Sequence, residues 1–251
     1  MSRVTAGVAF VMLFIGCLLA MAPARLLNVV LPGREIIMQG YSGTVWRGKA
    51  NRALLSTAAG YIHLGRISWS LSPLSLLALS PALTIESSWG RQHVNTGLRI
   101  TGRKSLELTD LDAMVSVQLL RKFLPLSVAG DFSIQAQELR IENGLPSRAR
   151  GRMVWQNAAW ESAQGLLPLG SYAVDFQQLP GGPLQGDIIT LAGSVRASGS
   201  AQLLGKDYNL DILISSDAGL GGQLEQALSL IAQPVPEGRR IKFDGQLLDF
   251  D

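Results

Sequence analysis

Hydrophobic positions are distributed in two ways along this chain. From Val4 to Ala24 they run without a charge, bounded by Arg3 and Arg25. Beyond Arg25 they alternate with polar positions in short bursts, the mark of strands with one apolar face. Tyr208–Ser215 puts Tyr208, Leu210, Ile212 and Ile214 on one side and Asn209, Asp211 and Ser215 on the other. His93–Ile100 alternates through Val94, Thr96, Leu98 and Ile100, and Asp131–Gln137 through Phe132, Ile134 and Ala136. Similar runs cover about 36–50, 60–70, 83–90, 104–109, 148–156, 171–178, 184–190, 194–204 and 239–248. Glycines such as Gly43, Gly48, Gly130, Gly144, Gly151, Gly205 and Gly245 punctuate them as turns or bulges. The pattern predicts a mainly β, predominantly antiparallel body whose sheet is apolar on one face and polar on the other.

Few helices are predicted in that body. Ser72 and Pro73 read as N-cap and first residue of a helix near 72–80. A second covers Thr109 to Leu124, near 110–124, with Met114, Val115, Leu119, Leu120 and Phe123 as its apolar stripe before Pro125. A third, near 222–232, carries Leu224, Ala227, Leu228 and Ile231 and stops before Pro234. All three read as packing against the sheet.

The apolar run at the N-terminus is of another kind. Its length of about twenty residues matches the thickness of a hydrocarbon core at 1.5 Å per helical residue. It reads as an uncleaved anchor, with residues 1–25 forming a cytoplasmic tip and a transmembrane helix. A cleaved signal sequence competes, with Ala20-Met21-Ala22 or Ala22-Pro23-Ala24 as the cleavage site, but Pro23 fits that region poorly. Lipid attachment at Cys17 competes less well, because Leu18-Leu19-Ala20-Met21 stay apolar where a polar tether belongs. Arg3 and the α-amino group on one side balance Arg25 and Arg34 on the other, so charge alone leaves the orientation open. The short N-terminus and the strand-rich body favour an N-in, C-out topology. Residues 26–35 then form a linker, and 36–251 a β-rich domain outside the cytoplasm.

Composition narrows the chemistry. The single cysteine, Cys17, lies in the apolar run, which removes disulfides and thiol chemistry from the body. Net charge is +3, and the densest basic cluster is Arg148, Arg150 and Arg152, whose alternate spacing reads as a solvated strand face. No aromatic residues interleave there, so no nucleic acid is expected. The two histidines, His63 and His93, have no ligand cluster around them in sequence. There is neither a Gly-x-Ser-x-Gly elbow nor a P-loop, and Glu86, Asp131, Glu161 and Asp187 stand isolated. The reading is a non-enzyme with no catalytic residues, no metal and no cofactor.

Trp46, Trp69, Trp89, Trp155 and Trp160 draw more interest. In a sheet protein such rings are mostly core anchors; some can instead line a surface that receives a partner or lipid. Trp46, Trp69, Trp155 and Trp160 are the candidate core or interface anchors. Gly43-Thr-Val-Trp46-Arg-Gly-Lys-Ala50 is echoed by Gly151-Arg-Met-Val-Trp155-Gln-Asn-Ala158, which hints at two similar halves over about 36–125 and 126–251.

Taken in order, several motifs resemble the type II secretion system protein N family (general secretion pathway protein N). They are the anchor, Gly43-Thr-Val-Trp46-x-Gly48, Ile67-Ser-Trp69-x-Leu-x-Pro73-x-x-Leu76-Leu77 and Gly130-Asp-Phe-Ser-Ile. Gly151-x-x-x-Trp155-x-Asn157-Ala158 and Pro236-Glu-Gly238-Arg239-Arg240-Ile-Lys-Phe-x-Gly245 follow. Gly205-Lys-Asp-Tyr208 fits the family's glycine-rich strand only loosely. The resemblance implies a single-pass protein of the bacterial inner membrane with a periplasmic β-rich domain. It also implies an accessory, non-enzymatic role in protein export across the outer membrane. Its partners would be components of the inner-membrane platform or the secretin, with the bilayer contacted through residues 4–24. The alternative reading is a membrane-tethered periplasmic lipid-binding or lipid-transfer module that uses the apolar face of its sheet.

Overall fold

The computed structural model describes residues 2–30, 36–57, 60–102, 104–120, 128–162 and 165–247. Helix α1 (Ser2–Ala20) leads through a 3-10 turn (Ala24–Leu26) into the short helix α2 (Leu27–Val30). The strands of the first unit, Met1–Trp89, are β1 (Ile36–Gly43), β2 (Arg47–Thr57), β3 (Gly60–Leu71) and β4 (Ala82–Trp89). Helix α3 (Pro73–Leu77) joins the last two. The strands pair antiparallel in chain order. Met38, Ala50 and Ala53 are buried at the centre of this unit, with Ile36, Tyr41, Leu64, Ile67 and Trp69 around them.

The second unit, Gly90–Asp251, is a longer antiparallel sheet. It begins with β5 (Gln92–Gly102), β6 (Ser105–Ser116), helix α4 (Val117–Leu120), β7 (Val128–Glu142), β8 (Leu145–Ser162) and β9 (Gly165–Gln178). It continues with β10 (Leu184–Ala192), β11 (Val195–Leu204), β12 (Asp207–Ser216), helix α5 (Gly222–Ser229), β13 (Gln233–Val235) and β14 (Gly238–Gln246). Neighbours in sequence are neighbours in the sheet through β12; β14 then pairs with β12, and β13 takes the edge. Tight hairpins explain this meander. Asn143-Gly144 joins β7 to β8 with φ of 53° and 80°, the left-handed pair that matches strand twist and that Asn-Gly adopts most readily.

Three expectations are corrected. The helix near 110–124 is mostly strand: β6 continues to Ser116 and only Val117–Leu120 are helical, while residues 121–127 lie outside the described residues. Its first half also reads with period two, since Leu111, Ala113 and Val115 share a face and Asp110, Asp112 and Met114 take the other; pairing with β7 on one side and β5 on the other settles the competition. The single run expected over about 36–50 is divided by a turn at Thr44–Trp46. The apolar run is helical only to Ala20, because Pro23 has no amide hydrogen to continue the ladder. Pro23 instead bridges Thr44, and Ala24 is buried. Among the described residues no helix is long and apolar enough to cross a membrane. The helices expected near 72–80 and 222–232 are present in shorter form as α3 and α5. Of the linker expected over 26–35, residues 31–35 lie outside the described residues.

Candidate functional site

The first unit gathers Tyr41, Trp46 and Trp69 where the chain leaves α1. The Trp46 indole N–H donates to the Leu19 carbonyl at 2.8 Å, and the Val45 amide donates to the Ala22 carbonyl at 2.9 Å. Leu19 lies in the last turn of α1, where its carbonyl also accepts from the Ala22 amide at 3.2 Å, and Ala22 lies just beyond the helix, so the Thr44–Trp46 turn supplies further donors at that end. Trp69 lies half-buried over Gly48, donates to the Val45 carbonyl at 3.0 Å and meets Tyr41 edge-on at 6.4 Å between ring centres. Trp89 is 53% exposed and stacks on His63 at 5.7 Å.

In the second unit, residues paired across each ladder share a face. Phe132, Trp155 and Tyr172 fall on one line across β7, β8 and β9, and Ile134, Met153, Val174 and Ile188 on the next, extending to β10. Arg148, Arg150 and Arg152 fall on the other face, all exposed. The two faces therefore differ sharply in chemistry.

One end of the apolar face is covered. Leu224 and Leu228 of α5, with Ala232, pack on Ala158, Leu169, Tyr172 and Ile241, and Trp155 and Trp160 border that cluster. The Trp155 indole donates to the Ala129 carbonyl at 3.1 Å and its ring lies 5.7 Å from Phe132 and 6.0 Å from Tyr172. The Tyr172 hydroxyl donates to the Val195 carbonyl at 2.9 Å, and burial pushes its pKa up to about 12. Trp155 thus lies among its sheet neighbours, whereas Trp46, its counterpart in the sequence echo, reaches back to the end of α1.

Beyond the α5 cluster the apolar face is open. Residues from seven consecutive strands, β6 to β12, line one trough of about 610 Å³. Its floor is made of small residues, Ala136, Ala149, Gly186 and Ala201, and its walls of Ile134, Met153, Phe176 and Leu203. No charged side chain lines it. Bulges in β7, β8 and β10 bend the strands along this face.

The polar face is organised by cross-strand ion pairs. Arg152 grips Asp175 through two bonds, at 2.5 and 2.7 Å, and Arg240 grips Asp211 through two at 2.7 Å. Arg148 meets Glu138 at 3.0 Å. A cleft of about 640 Å³ on this face is lined by Gln135, Arg150, Arg152, Asp175, Gln177 and Asp187, so a solvated ion pair occupies it. Hydrogen bonding from Arg152 holds the Asp175 carboxyl below its ordinary value, and Arg240, with Lys242 adding to it, does the same for Asp211. A carboxyl with a depressed folded pKa stabilises the fold above its unfolded value and loses that contribution as pH falls through the folded one. Urea midpoints are therefore expected to fall as pH drops below about 4. Asp175→Asn combined with Asp211→Asn flattens this acid limb; an unchanged slope in the double variant overturns the assignment. The groups are exposed, so the effect is small.

Elsewhere charged groups meet in pairs, Arg91 with Asp131, Arg196 with Asp217 and Arg239 with Glu225. His93 Nε2 lies 3.7 Å from Asp112, and among the described residues no group of three His, Cys, Asp or Glu side chains could hold a metal ion.

Comparison with known proteins gives this architecture a family. The type II secretion system protein N profile matches residues 35–242, nearly the whole β body. The chain belongs to that family. Similar relatives are the type II secretion system protein N of Aeromonas hydrophila, 23% identical over 98% of this chain and 99% of the relative, and that of Vibrio cholerae, 26% identical over 86% and 87%. The type II secretion system protein N of Pectobacterium carotovorum is 24% identical over 98% of each chain. No solved structure matches. Within the matched region fall Trp46, Trp69, Trp155 and Trp160, so the family's span includes both the turn under α1 and the packed end of the apolar face.

Proposed function

We propose that this protein is an accessory, non-enzymatic subunit of the type II secretion system, acting in protein export across the outer membrane through periplasmic contacts. The observation that carries this reading is the family match over residues 35–242. The partners are components of the inner-membrane platform or the secretin. The layout is a cytoplasmic tip and anchor over 1–25, a linker over 26–35 and a periplasmic body over 36–251, with similar halves about 36–125 and 126–251. Trp46, Trp69, Trp155 and Trp160 anchor the core of that body or its docking surface.

Anchoring in the inner membrane is supported by α1. Every side chain from Ala6 to Ala20 is apolar or small and exposed, with Phe10, Met12 and Leu13 each more than 65% exposed, so no protein surface covers them. Leaving such a surface in water is unfavourable by about 25 cal/mol per Å². Over Ser2–Ala20 the helix rises about 28 Å, short of the about 30 Å of a hydrocarbon core, and the apolar residues Met21 to Ala24 beyond it would complete the crossing. Trp46 and Arg25, at its C-terminal end, suit the membrane interface. With the N-terminus cytoplasmic, the body lies in the periplasm.

The test is crosslinking in intact membranes followed by gentle solubilisation. Recovery of platform or secretin subunits is expected, together with an active phosphatase fused after Asp251. Recovery of no secretion-system component removes the first reading, and an inactive phosphatase reverses the topology. The open apolar trough favours a second reading, a membrane-tethered lipid-binding module.

A further inference from the structure

We infer that the first unit holds the phosphate of an anionic phospholipid headgroup between Arg47 and Lys49, on the polar face of its sheet beside the end of α1; this rests on the reading of α1 as a membrane anchor, whichever side the body lies on. Charge is divided unequally along the chain. The first unit carries seven Lys and Arg against two Glu, a net charge of +5, whereas the second carries fifteen against seventeen Asp and Glu, a net charge of −2. Many cations of the second unit are met by acids, as at Arg91, Arg148, Arg152, Arg196, Arg239 and Arg240. In the first unit Arg25, Arg47, Lys49, Arg52 and Arg66 are all exposed, and among the described residues none of them has an ion-pair partner.

The ladders gather two of these cations with hydroxyl groups. Lys49 lies opposite Ser42 on β1 and Ser68 on β3, and Ser68 opposite Glu86 on β4. Arg47 lies opposite Ser70, and Ser70 opposite Thr84. Residues opposite each other share a face, and Arg47 and Lys49, two apart on β2, share it about 7 Å from each other. The cleft above them, of about 440 Å³, is lined by both cations and by Ser42, Ser70, Thr84 and Glu86. The Glu86 carboxylate accepts from the Ser68 hydroxyl at 3.2 Å, which leaves one engaged acid against two unpaired cations. Cations at that spacing can flank one phosphate, and the hydroxyls around them suit the other oxygens of a headgroup.

Position selects the membrane over other polyanions. Arg47 follows Trp46, whose indole donates to the Leu19 carbonyl in the last turn of α1, and the Val45 amide donates to the Ala22 carbonyl. Arg25 follows Ala24, which is buried at the same end. With α1 in the bilayer, the patch begins where the hydrocarbon ends, in a headgroup layer about 5–7 Å deep. Lys49 stands one pleat farther along β2, within the screening length of about 10 Å at 0.1 M salt. Each basic residue so placed favours contact with an anionic surface about fivefold.

The experiment uses the full chain in nanodiscs of phosphatidylcholine, with or without phosphatidylglycerol, and follows acetylation of Lys49 by peptide mass spectrometry. Phosphatidylglycerol should slow that acetylation at least threefold, and salt at about 1 M, where the screening length is about 3 Å, should remove the protection. In Arg47→Glu the two compositions should label Lys49 equally while the melting temperature stays unchanged. Lys49→Glu, read by native mass spectrometry, should retain at least threefold less phosphatidylglycerol than the parent, and it decides the matter should Arg47→Glu not fold. Inorganic phosphate added to phosphatidylcholine discs should leave Lys49 labelling as it was; equal slowing by phosphate makes the site one for the free ion and overturns the lipid assignment. Protection by polyglutamate with none from phosphatidylglycerol assigns the patch to an acidic protein and overturns it too. Protein that enters both kinds of disc with Lys49 labelled equally overturns this inference and leaves the anchor standing. Protein that stays out of phosphatidylcholine discs overturns the anchor reading and this inference with it. Slowing that persists in a folded Arg47→Glu overturns the inference as well.

Discussion

Replacing Trp155 by alanine should destabilise the protein by roughly 3–5 kcal/mol, the range for removing a packed aromatic ring. The ring fills the space between Phe132 and Tyr172, and Gly130 is held against it: a Cβ on that glycine would stand 2.7 Å from the indole nitrogen. Truncation removes these contacts together and leaves the Ala129 carbonyl without its indole donor. The cavity cannot collapse easily, because the strands on either side are held in register by their ladders. For a chain of this size the change corresponds to a fall in Tm of roughly 6–20 °C. Denaturant and thermal unfolding of Trp155→Ala measure it. A variant that melts within a degree or two of the parent, yet no longer supports secretion, would show that the ring belongs to a partner surface instead of the core.

An effect at least as large is expected from Gly170→Val. Here β9 and the end of β10 approach without side chains between them. A Cβ on Gly170 would stand 2.2 Å from the Ala192 carbonyl oxygen, and one on Gly193 would stand 2.3 Å from the Gly170 Cα. Both glycines also have positive φ, 150° and 121°. Neither obstacle is the far end of a flexible side chain, so backbone must move and the β9–β10 register, already shifted between Thr190 and Ala192, is lost locally. The expected cost is roughly 4 kcal/mol or more, seen as a lowered urea midpoint or as insoluble protein. Gly170→Ala and Gly193→Ala should each be severe, and together cost less than their sum, because they relieve the same approach. Gly222→Ala, where nothing lies within 4 Å, is the control. A Gly170→Ala protein as stable as that control would mean the two strands do not meet there.

Strands whose alternation is unbroken were legible from the sequence. His93–Ile100, Asp131–Gln137 and Tyr208–Ser215 lie inside β5, β7 and β12, and the predicted side assignment holds because a strand's period of two leaves no freedom once one face is apolar. The same logic placed Arg148, Arg150 and Arg152 together on the polar face. Where two periods fit one stretch, as in Thr109–Ser116, local pattern could not decide, and the ladders to β5 and β7 did. The order of motifs along the body was enough to point to the family that the profile match established.

Other features exist only in three dimensions. That Trp46 reaches back 27 residues to the last turn of α1, while Trp155 packs among its sheet neighbours, depends on contacts with no local signature. Alternation says that each strand has an apolar face. It does not say whether successive faces lie open, are covered by a helix or curl into a trough. Bulges in β7, β8 and β10 and the docking of α5 decide that, closing one end of the apolar face and leaving about 610 Å³ open at the other. The sequence by itself determined most of the strands, the sidedness of the sheet and the family, because these follow from short-range periodicity and ordered motifs. The tertiary structure decided which apolar surface is core and which is an open site, because burial is a property of how distant segments meet.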